Sequence, residues 1–287
     1  MKKRIGLALI PGLFLGATSC WAASSSEVYL SGSATYGDYL DSVERDYILT
    51  ERVNLSVIPD ITSGMTFHFE HVDLEKNAGF ADITQNQYGF SGYKAVPVKG
   101  VKGYLGGRLD VQYLDSDDQL TDNTAIPYVA ATYKSNDGRL YLDAGYAYSG
   151  YDHPDVNQYT ATLGVSLIKD KVWSQTRFYA IDLNETVQGQ DHTYAVEERL
   201  SYYAVPKKLT YSLYGLAGKR VFAYDPEIYA VYNLADVQKG SAGGSVTYQL
   251  SPAVSVLGDV TWEAYKNYDI GDNYSVVYGT VLLSFKY

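Results

Sequence analysis

Apolar and polar residues alternate along most of this chain. Read back from the end, Tyr287, Phe285, Leu283, Val281, Gly279 and Val277 form an apolar row. Lys286, Ser284, Thr280 and Tyr278 form the opposite row, with Leu282 the exception. A period of two marks a strand whose two sides meet unlike surroundings. The same period returns from Glu27 onward in runs of about 10 to 13 residues, the length a tilted strand needs to cross a bilayer. The predicted strands are Val28–Tyr39, Tyr47–Val57, Gly64–Leu74, Gln85–Ala95, Gly103–Leu114, Thr124–Lys134 and Arg139–Ser149. They continue as Val156–Ile168, Val172–Leu183, Thr193–Val205, Lys208–Val221, Ser241–Leu250, Val254–Lys266 and Tyr274–Tyr287, fourteen in all.

The connections alternate too. Ile58-Pro59-Asp60, Ser135-Asn136-Asp137-Gly138, Lys169-Asp170-Lys171, Pro206-Lys207 and Ser251-Pro252 are short and carry turn residues. The stretch 115–118, Asn184 to Asp191, Phe222 to Gly240, and Asn267 to Asn273 are acidic and mostly longer. Such sorting predicts an all-β, antiparallel, up-and-down transmembrane barrel of about fourteen strands, with short turns at one end and long loops at the other. Pro97 to Lys102 is a long turn for the short set. The alternating stretch Glu227 to Leu234 would spoil an even strand count, so it is expected within an outer loop folded over the mouth.

One face of the runs is apolar and would meet lipid: Leu30, Tyr36, Phe67, Phe69, Leu109, Leu142, Leu163, Leu213, Val260 and Trp262 are examples. The other is polar and often small, as at Ser31, Ser33, Asn54, Ser56, Thr160, Thr162 and Ser212. That lumen face also carries His68, Glu197 and the candidate pore-lining charges Arg52, Glu70, Arg108, Asp110, Asp143, Arg177, Arg199, Arg220, Asp259 and Glu263. These could simply solvate the interior and pair across strands. Alternatively the arginines could form a selectivity track for anionic solutes, opposed by carboxylates. Glu51 and Glu198 fall on the apolar face, so each is expected at a rim unless the register slips there.

Composition fits this picture. The chain has 287 residues, and its aromatic content is mostly tyrosine (Tyr 30, Phe 8, Trp 3), the ring suited to a boundary between hydrocarbon and water. Lys2, Lys3 and Arg4 precede an apolar stretch from Ile5 to Ala17, and Cys20-Trp21-Ala22 offers small residues for cleavage. Residues 1–22 therefore read as a secretory signal and 23–287 as the barrel. Ala17-Thr18-Ser19-Cys20 also resembles a lipobox without its usual Leu, which would lipidate Cys20. Cleavage after Ala22 would remove the only cysteine. It would also leave 20 basic against 33 acidic residues, a net charge of −13 that disfavours nucleic acid as a partner.

Taken together, the signal, the fourteen alternating segments and the aromatic end resemble bacterial outer-membrane porins, most closely the small monomeric OmpG-like and KdgM-type oligosaccharide porins. The resemblance is architectural and carries no site residue across. It implies an outer-membrane channel for passive diffusion of small hydrophilic solutes, with acidic oligosaccharides among the candidates. Outer-membrane lipid and the barrel-assembly machinery are the implied partners, the latter reading the aromatic terminus. The alternative is a structural or partner-binding barrel with a plugged lumen, suggested by the long Phe222–Gly240 segment. No catalytic, metal or cofactor site is expected. His68 and His71 point to opposite faces, His153 and His192 lie in loops, and no Ser/His motif of an outer-membrane hydrolase is visible.

Overall fold

A computed structural model describes residues 26–100, 102–232 and 235–287. The candidate signal segment, with Cys20, lies outside them. The elements are β1 (Glu27–Leu40), β2 (Arg45–Asp60), β3 (Ser63–Lys76), β4 (Ile83–Pro97), β5 (Gly103–Ser116), β6 (Thr124–Ser135), β7 (Leu140–Gly150) and β8 (Asp155–Ile168). They continue with β9 (Val172–Val187), β10 (Gln190–Val205), β11 (Leu209–Arg220), β12 (Ala223–Asp225), β13 (Ala230–Tyr232), β14 (Val237–Ser251), β15 (Val254–Asn267) and β16 (Asp272–Lys286). Fourteen of these close into one antiparallel barrel, and β12 and β13 form a separate two-stranded sheet. Closure joins β1 to β16, from Tyr29 opposite Lys286 to Leu40 opposite Ser275. It removes both sheet edges, as hydrocarbon surroundings require.

The two faces separate as the alternation predicts. Leu30, Tyr36, Phe67, Phe69, Leu109, Leu213, Val260 and Trp262 are exposed on the outside. Ser31, Ser33, Asn54, Ser56, Thr160, Thr162 and Ser212 are buried on the inside. Outward rings pair across strands near the loop end: Phe69 with Tyr88, Tyr88 with Tyr113, Tyr146 with Tyr159, Phe178 with Tyr194. They form one aromatic girdle, and Tyr202, Tyr211 and Tyr248 stand in a second one at the turn end. Inward glycines let bulky neighbours lie across them. A Cβ on Gly89 would come within 2.0 Å of the His68 ring, and one on Gly243 within 2.5 Å of Tyr214.

Two expectations about the loops change. Asn184 to Asp191 is mostly strand, because β9 and β10 continue to a two-residue turn at Gln188 (φ 48°) and Gly189 (φ 73°). Two left-handed residues make the tight turn whose twist matches the flanking strands. Phe222 to Gly240 is not a cover over the mouth. The chain turns inward at Phe222 (φ 50°), and the β12–β13 hairpin descends inside the barrel. The register does not slip at Glu51 or Glu198; both face outward, and Glu198 lies midway between the two girdles, not at a rim as expected.

Candidate lumen plug

The hairpin comes first, because the lumen charges are arranged around it. Asp225-Pro226 starts its turn: the Asp225 carboxylate accepts the Glu227 backbone N–H at 2.8 Å, and Tyr229 takes a left-handed φ of 57°. Its upper part is apolar. Phe222, Ala223 and Tyr224 are essentially inaccessible to solvent, packed with Leu114, Ile126, Tyr128, Tyr151, Val156, Ile181 and Leu183 from β5 to β9. Tyr151 and Phe222 pack tilted at 4.9 Å between centroids, and Tyr128 meets Tyr224 edge-on at 5.6 Å.

Lower down the contacts become polar. Gln158 clamps the Tyr224 backbone, donating to its carbonyl at 2.6 Å and accepting its N–H at 2.9 Å. Gln87 donates to the Tyr229 carbonyl at 2.7 Å. The Tyr224 hydroxyl donates to Asp110 at 2.9 Å, and the His68 ring stacks on Tyr229 at 4.9 Å.

Four of the five candidate arginines meet the hairpin tip. Arg177 pairs with Asp225 at 3.1 Å and Glu227 at 3.2 Å. Arg108 pairs with Asp110 at 2.7 Å and donates to the Pro226 carbonyl. Arg52 pairs with Glu70 and donates to the Ile228 carbonyl. Arg199 lies 3.9 Å from both Glu197 and Glu227, with its guanidinium over Tyr214. Arg220 sits higher, donating to Gln238 at 2.8 Å between the Tyr179 and Tyr232 rings. Asp143, Asp259 and Glu263 face inward but bond to wall residues: Tyr141 and Thr162, Tyr214 and Thr261, and Tyr265.

All ten candidate charges thus face the lumen, but they do not form a free track. Arg52, Arg108, Arg177 and Arg199 are held by the plug. On the wall at this level four carboxylates, Glu70, Asp110, Asp143 and Glu197, accompany them, Asp143 being joined to Arg177 through Thr162, and the hairpin adds Asp225 and Glu227. The wall alone is therefore balanced at the tip, and with the hairpin in place the set is net negative. Burial pushes the Asp225 carboxyl up, but Arg177, then Arg220, outweigh that and hold it below the usual carboxylate range.

A second polar cluster ties the base of the hairpin to the loop end of the barrel. Asp236, at the base of the hairpin, pairs with Arg45 and accepts from Tyr274 at 2.6 Å and from Gln188 at 3.0 Å. Gln188 in turn accepts the Tyr268 backbone N–H at 2.8 Å. Residues from the β1–β2, β9–β10 and β15–β16 ends converge on one carboxylate. Burial would raise the pKa of Asp236, but Arg45 and these donors depress it.

The sequence reading did not single out Gln87, Gln112, Gln158, Gln188, Tyr224 or Tyr229. A signal was present. Asp225-Pro226 splits the Phe222–Gly240 segment into two short runs, as a turn would, and the inward amides stand on neighbouring strands without obvious partners. The histidines have unlike settings: His68 is buried at the plug, His71 faces outward beside Asn86, and His153 and His192 pair with Glu185 and Asp182.

No protein-family model and no curated protein match the sequence. Solved structures do match. The outer-membrane protein Omp33 of Acinetobacter baumannii superposes with a TM-score of 0.51 at 12% identity, covering 91% of this chain and 98% of that one. A FadL homologue of Pseudomonas aeruginosa gives 0.52 at 9% identity over 91% and 89%. A bacterial polysaccharide outer-membrane secretin gives 0.52 at 11% over 92% and 98%. At such identities the likeness is one of fold, and the fold of this chain is that of the bacterial outer-membrane β-barrels.

Proposed function

We propose that this chain is an outer-membrane channel for small hydrophilic solutes that rests closed, with the β12–β13 hairpin as its gate. The observation that carries this reading is the chemistry of the wall behind the plug. Gln87, Gln112, Gln158, Asp110 and Arg177 are buried there, yet they bind the hairpin through polar contacts. A permanent core gains more from apolar residues, because buried ion pairs add little net stability. A wall that water can fill when the hairpin leaves has to be polar.

Removing the hairpin takes away Asp225 and Glu227 and frees Arg52, Arg108, Arg177 and Arg199 from their contacts with it, which shifts the lumen charge toward positive. Fixed positive charge lowers the barrier for anions. The open state is therefore more permissive to anions than the closed one, and acidic oligosaccharides are proposed as solutes on that ground. Phe285 to Tyr287 would serve as the signal for the assembly machinery, and their deletion is expected to block insertion.

The test is planar-bilayer conductance of the refolded mature chain, beside a variant in which 223–232 are replaced by a Gly-Ser linker. Small or rare openings in the parent and large steps in the variant, with a higher anion-to-cation permeability ratio, are expected. A silent variant that still inserts would sink the channel reading. It would favour a permanently filled structural barrel, for which the apolar packing of Phe222 to Tyr224 is the supporting observation.

A further inference from the structure

The outer surface carries a basic cluster that the gate does not use. We propose that Lys219, Lys239 and Lys266 bind the phosphate groups of a phosphorylated glycolipid in the outer leaflet. The inference rests on the outer-membrane reading above, with the loop end of the barrel facing outward.

Backbone geometry brings the three together. Ala217 pairs with Gly240 and Arg220 with Gln238, so Gly218 and Lys219 on β11 and Lys239 on β14 share one bulged cell of the sheet. Gly218 takes a φ of 115°, which a side chain would resist, and its place would bring a Cβ within 2.3 Å of the Tyr194 carbonyl. A bulge re-aims side chains. Here it directs two lysines outward side by side. Lys266 joins them from β15, one position beyond the inward Tyr265 and opposite Val237.

The cluster is cationic without internal compensation. Lys219 donates to Gln190 at 3.0 Å, and the Lys219 and Lys266 ammonium groups flank the Tyr268 ring at 5.7 and 4.2 Å. Among the described residues, none of the three is ion-paired with a carboxylate. Lys94 and Lys286, at the turn end, do have such partners in Asp60 and Glu27. The contrast is sharpened by the rest of the loop-end rim, where Asp38, Asp46, Asp115, Asp182 and Asp191 are exposed or half-buried.

Height and surroundings specify a lipid. The neighbouring outward ring at this level is Tyr194 of the upper aromatic girdle, stacked with Phe178, so the ammonium groups lie at headgroup depth. Below them, Gly240, Ala242 and Gly244 leave a shallow strip on β14, between Leu213 of β11 and the exposed Val260 and Trp262 of β15. Such a strip suits an acyl chain lying against the wall while its phosphates meet the lysines. Lysine binds phosphate as a point charge, and basic residues near a headgroup region add their attractions.

Native mass spectrometry of the folded mature chain in detergent tests this, using bis-phosphorylated lipid A and its dephosphorylated counterpart in equal amounts. Retention of the phosphorylated form is expected at least about tenfold above the other. The triple variant Lys219→Gln, Lys239→Gln, Lys266→Gln should lose that preference, while Lys169→Gln, Lys171→Gln, Lys208→Gln at the turn end should keep it. Equal retention by the first variant, or an equal loss in the second, overturns the site. Displacement of the lipid by millimolar inorganic phosphate would instead mark a free-anion site and also overturns it. Flotation with phosphatidylcholine vesicles reads insertion separately, so a failure of the membrane reading is distinguishable from a failure of this one.

Discussion

Glu197 and Glu198 are neighbours on β10 and face opposite worlds. Glu197 points into the lumen, accepts from Tyr179 at 3.1 Å and lies 3.9 Å from Arg199. Glu198 points outward, four residues from Tyr194 of one aromatic girdle and four from Tyr202 of the other. That places it ~13 Å along the strand from each, near the middle of the apolar belt. Its carboxylate accepts from Ser174 at 2.6 Å and from Thr176, both on the adjacent strand. The inner charge belongs to a network that spans the barrel and includes the hairpin, whereas the outer one is satisfied locally by two hydroxyls. Inward charges are thus coupled to the position of the plug, and the outward one is not.

The coupling can be broken most strongly at Arg177. Replacing it by Gln leaves buried Asp225 without its ion-pair partner and Glu227 with the Gln175 amide at 2.7 Å and the more distant Arg199. Breaking a buried pair in this way costs about 3–5 kcal/mol. The strain falls on the hairpin, so Arg177→Gln is expected to raise the open probability in bilayers by orders of magnitude. Conductance as quiet as the parent's would mean that the tip is held by its carbonyl contacts alone.

Acid probes the same contact from the hairpin side. Asp225 has a folded-state pKa below its ordinary value, so its contribution is fully present above about pH 4, the unfolded range, and is lost as pH falls through the lower folded value. Closure should therefore persist from neutral pH to about 4 and give way only in stronger acid. Asp225→Asn should open more readily at every pH and show a flatter profile. Opening of the parent between pH 5 and 7 would assign the gate to a different group.

On the outer face the expected sign reverses. Glu198→Leu removes a carboxylate from mid-belt and should stabilise the barrel in lipid by up to ~2 kcal/mol, since acidic groups there cost less than basic ones. Urea unfolding from phosphatidylcholine vesicles measures it, and gating should be unchanged. Destabilisation would show that the Ser174 and Thr176 contacts matter more than the desolvation of the carboxylate.

This contrast also explains what could be read from the chain. Strand number, closure and the two faces follow from a period of two, which hydrocarbon on one side and polar groups on the other impose along every strand. Even Glu198 was visible as a violation of the pattern. The long Phe222–Gly240 segment raised a plugged lumen as an alternative, but the plug's placement was not visible, because its contacts run between positions far apart in sequence: Arg52 with Ile228, Gln87 with Tyr229, Arg108 with Pro226. Local alternation describes Phe222 to Gly240 as strand-like without saying where the strand goes. The arginines were recognisable as lumen charges, but whether they faced water or a hairpin depended on that missing placement.

The gentlest test separates the hairpin's polar anchoring from its apolar packing. Tyr224→Phe keeps the ring against Tyr128 and removes the hydroxyl that donates to Asp110 at 2.9 Å and accepts from Gln112 at 3.3 Å. Asp110 retains Arg108 at 2.7 Å, so no carboxylate is left unpaired, and Gln112 still accepts from Gln87. The loss should be set by the shorter of the two bonds, about 1 kcal/mol. Through the gate this corresponds to a roughly fivefold rise in open probability, well below that of Arg177→Gln. If the two variants opened the channel equally, the hydroxyl would be as critical as the ion pair, and the tip arginines would no longer account for closure.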